Sequence, residues 1–160
     1  MNKFYKKNKL TPIINVSGFM TKIGASIVKD FNIGAAKEIL PNFVNIDELQ
    51  SLASKRISKL LRTESAVITA SAAAGLTESI AATMTGSDLE KVYNLPSTFG
   101  IKNKVLIQQG HLTNYGAEVG QAIRLSGAKI LKCGSKFACN NNEVIKKGVS
   151  AVRKALEQLK

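Results

Sequence analysis

The chain has 160 residues, 44% hydrophobic and 6% aromatic with no tryptophan, and a net charge of +12 from 23 Lys and Arg against 11 Asp and Glu. That length supports one hydrophobic core and excludes most two-domain cofactor enzymes, and no stretch reaches the ~20 apolar residues of a membrane-spanning helix. The charge is mostly lysine, spread over Lys3, Lys6, Lys7 and Lys9 and over Lys129, Lys132, Lys136, Lys146 and Lys147. It lacks the arginine forks and stacked aromatics of nucleic-acid surfaces and reads as solvated surface.

The basic start, Met1 to Lys7, runs into polar residues and predicts no signal peptide. Residues 1–45 are broken by Pro12, Gly18, Gly24 and Gly34 and read as an N-terminal arm, which leaves 46–160 as an α/β domain. A helix is expected over Asp47–Arg62: Ile46, Leu49, Leu52, Ala53, Ile57, Leu60 and Leu61 fall at spacings of three and four, with Asp47 and Glu48 at the positive end of its dipole. Ala66-Val67-Ile68-Thr69 is apolar and β-branched and predicts a strand over Ser65–Thr69, followed by a helix from Ala72 to Met84.

The turn between these two elements is the first candidate site. A helix's first turn carries unpaired N–H groups and positive dipole, and small side chains at Ala70, Ala72, Ala73 and Ala74 let a ligand approach that backbone. The first carboxylate, Glu78, lies about two turns further on, so the turn suits a phosphate. The competing reading is that Ser71 only caps an alanine-rich core helix.

Beyond it, Gly86–Asn103 reads as a loop with a short turn at Leu89–Tyr93. Lys104–Gln108 reads as a second strand, Glu118–Leu125 as a short helix and Ala128–Lys132 as a third strand. A last helix over Glu143–Leu159 is expected to bury Val144, Ile145, Val149, Val152, Leu156 and Leu159. Strand and helix alternate, which predicts helices layered on a mostly parallel sheet with ligands at the carboxyl ends of the strands. One such end carries His111, which as a residue type can stack on a flat ring, act as a base or cap the next helix. Cys133 and Cys139 have no zinc spacing and are expected to be reduced, cytoplasmic thiols.

Several motifs in order carry a resemblance to a known family: Asn15-Val16-Ser17-Gly18, Val44-Asn45-Ile46-Asp47-Glu48-Leu49-Gln50, Ile68 to Thr77, Gln109-Gly110-His111, and Ala122 to Ala128. Together they resemble the N-terminal part of the selenocysteine-synthase-like pyridoxal-phosphate enzymes, a family that includes L-seryl-tRNA(Sec) selenium transferase and D-glucosaminate-6-phosphate ammonia-lyase. The resemblance implies a partial aspartate-aminotransferase-like large domain, three-layered, with Ser71, Ala72 and Ala73 cradling the phosphate of pyridoxal 5'-phosphate and His111 stacked on its ring. It implies a lyase or transferase acting on a phosphorylated, amino-acid-type small molecule. The pair Gly110-His111 leans toward the ammonia-lyase branch.

Pyridoxal chemistry also needs a lysine that bonds the cofactor and an acid facing the ring nitrogen. No aspartate follows Asp88, and no lysine beyond His111 stands in a family motif. No catalytic residue is therefore assigned, and the chain is expected to bind the cofactor weakly and non-covalently, as a half-site inactive alone. Self-association or a complementing C-terminal chain is the expected partnership. The alternatives are a selenium-transferase-like protein, a phosphate- or tRNA-binding remnant, less favoured on the charge pattern above, or a degenerate product without activity.

Overall fold

The protein is described by a computed structural model over residues 3–157, the side chains of residues 155 and 156 excepted. It divides into two compact units, Met1–Leu52 and Ala53–Lys160. In the first, helix α1 (Lys3–Lys7) and a 3-10 turn (Thr21–Ile23) precede helix α2 (Asp30–Ile39). Asn15 folds the Asn15–Gly18 motif into an Asx turn: its Oδ1 accepts from the Ser17 N–H at 2.9 Å and its Nδ2 donates to the Gly18 carbonyl. Helix α3 (Ile46–Leu61) runs from one unit into the other. Asn45 caps it, accepting from the N–H groups of Asp47 and Glu48 at 3.0 and 3.3 Å.

The second unit carries the sheet. Helices α4 (Ala72–Thr85) and α5 (Leu89–Asn94) precede strand β1 (Lys104–Gln108), and a 3-10 turn (Gln109–His111) leads through helix α6 (Val119–Leu125) to strand β2 (Lys129–Cys133) and helix α7 (Asn141–Glu157). Asp88 caps α5, accepting from the Lys91 N–H at 3.2 Å and pairing with its ammonium at 2.8 Å; the Lys91 hydrogen bond is the main reason its carboxyl is held below the ordinary value. The strands are parallel and in register from Lys104↔Lys129 to Gln108↔Cys133.

Because side chains alternate across a strand, Ile130 and Leu106 face opposite sides of this ladder. Ile130 lies against Gly120 of α6, and Leu106 lies against Gly148 of α7, so the sheet has a helix on each face. The core is small and centred on α6: Ala122, Ile123, Ala128 and Cys133 are its buried apolar residues, with Ile123 the one side chain almost completely enclosed among the described residues.

Three expectations are corrected. Residues 65–69 carry no regular secondary structure and belong to no ladder, since the sheet holds only β1 and β2 among the described residues. A strand exists only with a neighbour to pair with, and here the Ala66 N–H donates instead to the Ser54 hydroxyl of α3 at 3.1 Å, while Val67 and Ile68 stay exposed. The apolar stripe of α7 is also not buried: Ile145, Val149 and Val152 are exposed, and the half-buried track is Val144, Gly148 and Ala151, one residue earlier. Gly148 and Ala151 let the helix come close to the sheet, so the small residues rather than the large ones face it. Leu159 and the Leu156 side chain lie outside the described residues. Finally, residues 30–39 form a helix inside what read as an irregular arm; Gly34 is tolerated in it at a cost of ~1 kcal/mol.

Candidate functional site

Ser71 begins α4 with extended backbone, and its hydroxyl oxygen accepts from the Ala74 N–H at 3.1 Å. The Gly75 N–H reaches the Ser71 carbonyl at 2.9 Å, the first i→i−4 bond of the helix. The Ala72 and Ala73 N–H groups meet no acceptor among the described residues, and Ser71, Ala72 and Ala73 are exposed. No acidic residue stands in this turn. Ser71 is therefore a cap whose O–H hydrogen is still available to donate, beside two parallel free donors and the positive end of a fourteen-residue helix. Capping and anion binding, the two readings of the sequence, use different atoms of the same residue.

Thr69 contributes to the turn in a way the sequence did not announce. Its hydroxyl donates to the Ser71 carbonyl at 3.0 Å and steadies the residue that starts the helix. Further along α4, the Thr77 hydroxyl donates to the Ala122 carbonyl of α6 at 2.8 Å, fixing α4 against the buried core. Replacing Ser71 by alanine should therefore cost ~1 kcal/mol, the usual loss for a deleted N-cap, read as a lower urea midpoint with an unchanged slope.

His111 ends the 3-10 turn after β1 and is exposed. It makes no hydrogen bond to the Ser71 turn among the described residues, and both lie in the second unit. Gly110 before it is backed by the loop after β2: a Cβ there would lie 2.8 Å from the Lys136 carbonyl oxygen. This support comes from 26 residues further along the chain and has no local signature. Concavities of about 430 Å³ beside α5 and about 510 Å³ along α7 include none of Ser71, Ala72, Ala73 or His111, all four of which are exposed. No group of three metal-binding side chains exists among the described residues.

Fold and site together define a partial α/β layer with an open, anion-suited helix start. No family model matches the chain. Over 131 residues it is 35% identical to the D-glucosaminate-6-phosphate ammonia lyase of Salmonella typhimurium (strain 14028s / SGSC 2262), covering 82% of this chain and 36% of that protein. It is 26% identical over 132 residues to a 5'-C-glycyluridine monooxygenase-decarboxylase of a Streptomyces species, covering 82% of this chain and 33% of the relative. A solved structure of D-glucosaminate-6-phosphate ammonia-lyase superposes with a TM-score of 0.84 at 32% identity, over 89% of this chain and 39% of the other. These similarities support the pyridoxal-phosphate-type family of the ammonia-lyase, and the chain spans about a third of the length of the relatives it matches.

Proposed function

We propose that this chain supplies the cofactor-phosphate half-site of a pyridoxal-phosphate-dependent lyase of the D-glucosaminate-6-phosphate ammonia-lyase kind, within an aspartate-aminotransferase-like large domain. The observation that carries the reading is the pair of free N–H groups at Ala72 and Ala73 beside the unused Ser71 O–H, on a helix start without carboxylates. These three donors match the oxygens of a phosphate monoester, and Ala72 and Ala73 leave its approach open. His111 offers the face of its imidazole to the ring. When bound, pyridoxal phosphate supplies an electron sink that labilises bonds next to the substrate amine.

What this chain contributes is binding and orientation. The residues that bond the cofactor and face its ring nitrogen come from a complementing stretch of polypeptide, and the substrate is a phosphorylated amino sugar acid or a compound of that class. Val67, Ile68, Phe99, Phe137 and the Ile145–Val152 face of α7, all exposed here, are the surfaces that such a stretch or a second copy would cover. The two thiols suit the reducing cytoplasm.

The test is a titration of the isolated chain with pyridoxal phosphate. A helix start contributes ~0.3–1 kcal/mol per favourable charge interaction and up to ~2 when partly buried; with a stacked ring added, a dissociation constant of order 0.1–1 mM is expected. Borohydride reduction followed by mass spectrometry should leave every lysine unmodified at stoichiometric level. A stoichiometric adduct on one lysine would mean that this chain holds its own reactive half, and retention on RNA lost steeply with salt, without cofactor binding, would favour the nucleic-acid reading instead.

A further inference from the structure

We propose that Cys133 and Cys139 form a dithiol that exchanges with glutathione disulfide, closing into an intramolecular disulfide that pins the loop behind the Gly110 turn. The inference rests on contact geometry alone and stands whether or not the cofactor reading does.

Cys133 ends β2, is 6% exposed, and directs its thiol toward the Ile107 carbonyl of β1 at 3.4 Å. Cys139 is half-buried and stands one residue before Asn140, which caps α7 by accepting from the Glu143 N–H at 2.9 Å while its own N–H donates to the Glu143 carboxylate at 2.8 Å. The two sulfurs are 3.8 Å apart.

That contact is built by the loop between them. Gly134, at φ +67, reverses the chain directly after the strand, and a Cβ on it would collide with the Cys139 side chain, 2.7 Å from its sulfur. Ser135 closes the turn: its N–H donates to the Ala138 carbonyl at 2.8 Å, and its hydroxyl oxygen accepts from the Phe137 and Ala138 N–H groups at 3.2 and 3.0 Å. The same loop presents the Lys136 carbonyl to Gly110. Tying Cys133 to Cys139 therefore fixes the wall against which the turn carrying His111 rests.

The half-buried Cys139 is the sulfur that reagents reach first. Its thiolate attacks one sulfur of glutathione disulfide, expelling one glutathione thiolate and leaving a mixed disulfide. The Cys133 thiolate then attacks the Cys139 sulfur and expels the second glutathione. Two protein thiols are oxidised, one glutathione disulfide is reduced, and the two cysteine protons end on the two glutathione thiols. Burial, then the neighbouring Cys133 thiol, push the Cys139 thiol above its ordinary value, which slows attack by Cys139 near neutral pH.

The experiment equilibrates the full chain across a series of reduced-to-oxidised glutathione ratios, then quenches it in acid for intact and peptide mass spectrometry. The wild type should lose two hydrogens within one chain and carry no glutathione. Cys133→Ser should instead accumulate a glutathione adduct on Cys139, and Cys139→Ser should leave the buried Cys133 largely unmodified. In the wild type, hydrogen exchange at the amides of 110–112 and 134–140 should slow several-fold on oxidation. A persistent glutathione adduct on the wild type, disulfides formed only between copies, or exchange at 110–112 unmoved by oxidation would each overturn the proposal, and none of these readings requires the variants to fold.

Discussion

Replacing Gly127 by alanine should cost the fold ~3 kcal/mol, a large part of the ~5–15 kcal/mol that holds a typical domain together. Gly127 joins α6 to β2 at φ +86, where an L side chain is strained by ~1–2 kcal/mol. A Cβ there would also collide with the Pro96 carbonyl oxygen and stand 2.7 Å from Thr98 Cγ2, and overpacking of this kind typically costs ~1–3 kcal/mol. The neighbours cannot simply yield. The Thr98 hydroxyl donates to the Gly127 carbonyl at 3.1 Å and accepts from Asn103 Nδ2 at 2.6 Å, while the Asn103 carbonyl accepts from the Lys129 N–H at 2.7 Å. Moving Gly127 therefore disturbs the start of both strands. Gly100 provides the comparison: it has φ +75 but open space around its Cα, so Gly100→Ala should pay the backbone strain only, ~1–2 kcal/mol. Urea midpoints of the two variants separate strain from collision. Equal losses would show that the packing around Gly127 is not the cause.

The same residue shows what the sequence could and could not disclose. The motif Ala122 to Ala128 carries part of the family resemblance, and in this chain it serves packing: Ala122, Ile123, Ser126 and Ala128 are buried, and Gly127 makes the turn. Its regularity reflects packing. Elements whose signal is local were legible: β1 falls on Lys104–Gln108 as read, and α3, α4 and α6 lie within a residue or so of their expected bounds, because capping, periodicity and β-branching act over a few residues. What depends on a distant partner was not legible. Whether 65–69 is a strand is decided by a neighbour that β1 and β2 do not provide, and the face of α7 that meets the sheet is decided by how closely Gly148 lets it approach Leu106. For the proposed half-site, the free donors at Ser71 to Ala73 could be read from the helix start, since they are local. The loop behind Gly110 could not, because nothing near His111 announces the Lys136 carbonyl.

Introducing Ala72→Asp should separate stability from function at the proposed half-site. Ala72 is exposed in the first turn of α4, a turn with no acidic residue, and a carboxylate near a helix N-terminus is favourable by ~0.3–1 kcal/mol. The melting temperature should therefore hold or rise slightly. The same carboxylate would stand where the Ala72 and Ala73 N–H groups point, filling the gap left by a methyl group and setting negative charge against a phosphate. Two unit charges ~4 Å apart interact by ~1 kcal/mol in water and ~4 kcal/mol near a protein surface, and ~1.4 kcal/mol is a tenfold change in affinity. Cofactor affinity should accordingly fall at least about fivefold. The isolated chain reports this in the pyridoxal phosphate titration. Co-expression of the chain with the remaining two-thirds of a related ammonia-lyase reports it as lost lyase activity. Ala73→Ser, which adds no charge and keeps the N–H, controls for bulk and should retain most of the affinity. If Ala72→Asp retains wild-type affinity, or if the complemented pair keeps full activity, the free donors of α4 do not hold the phosphate and Ser71 is a structural cap only.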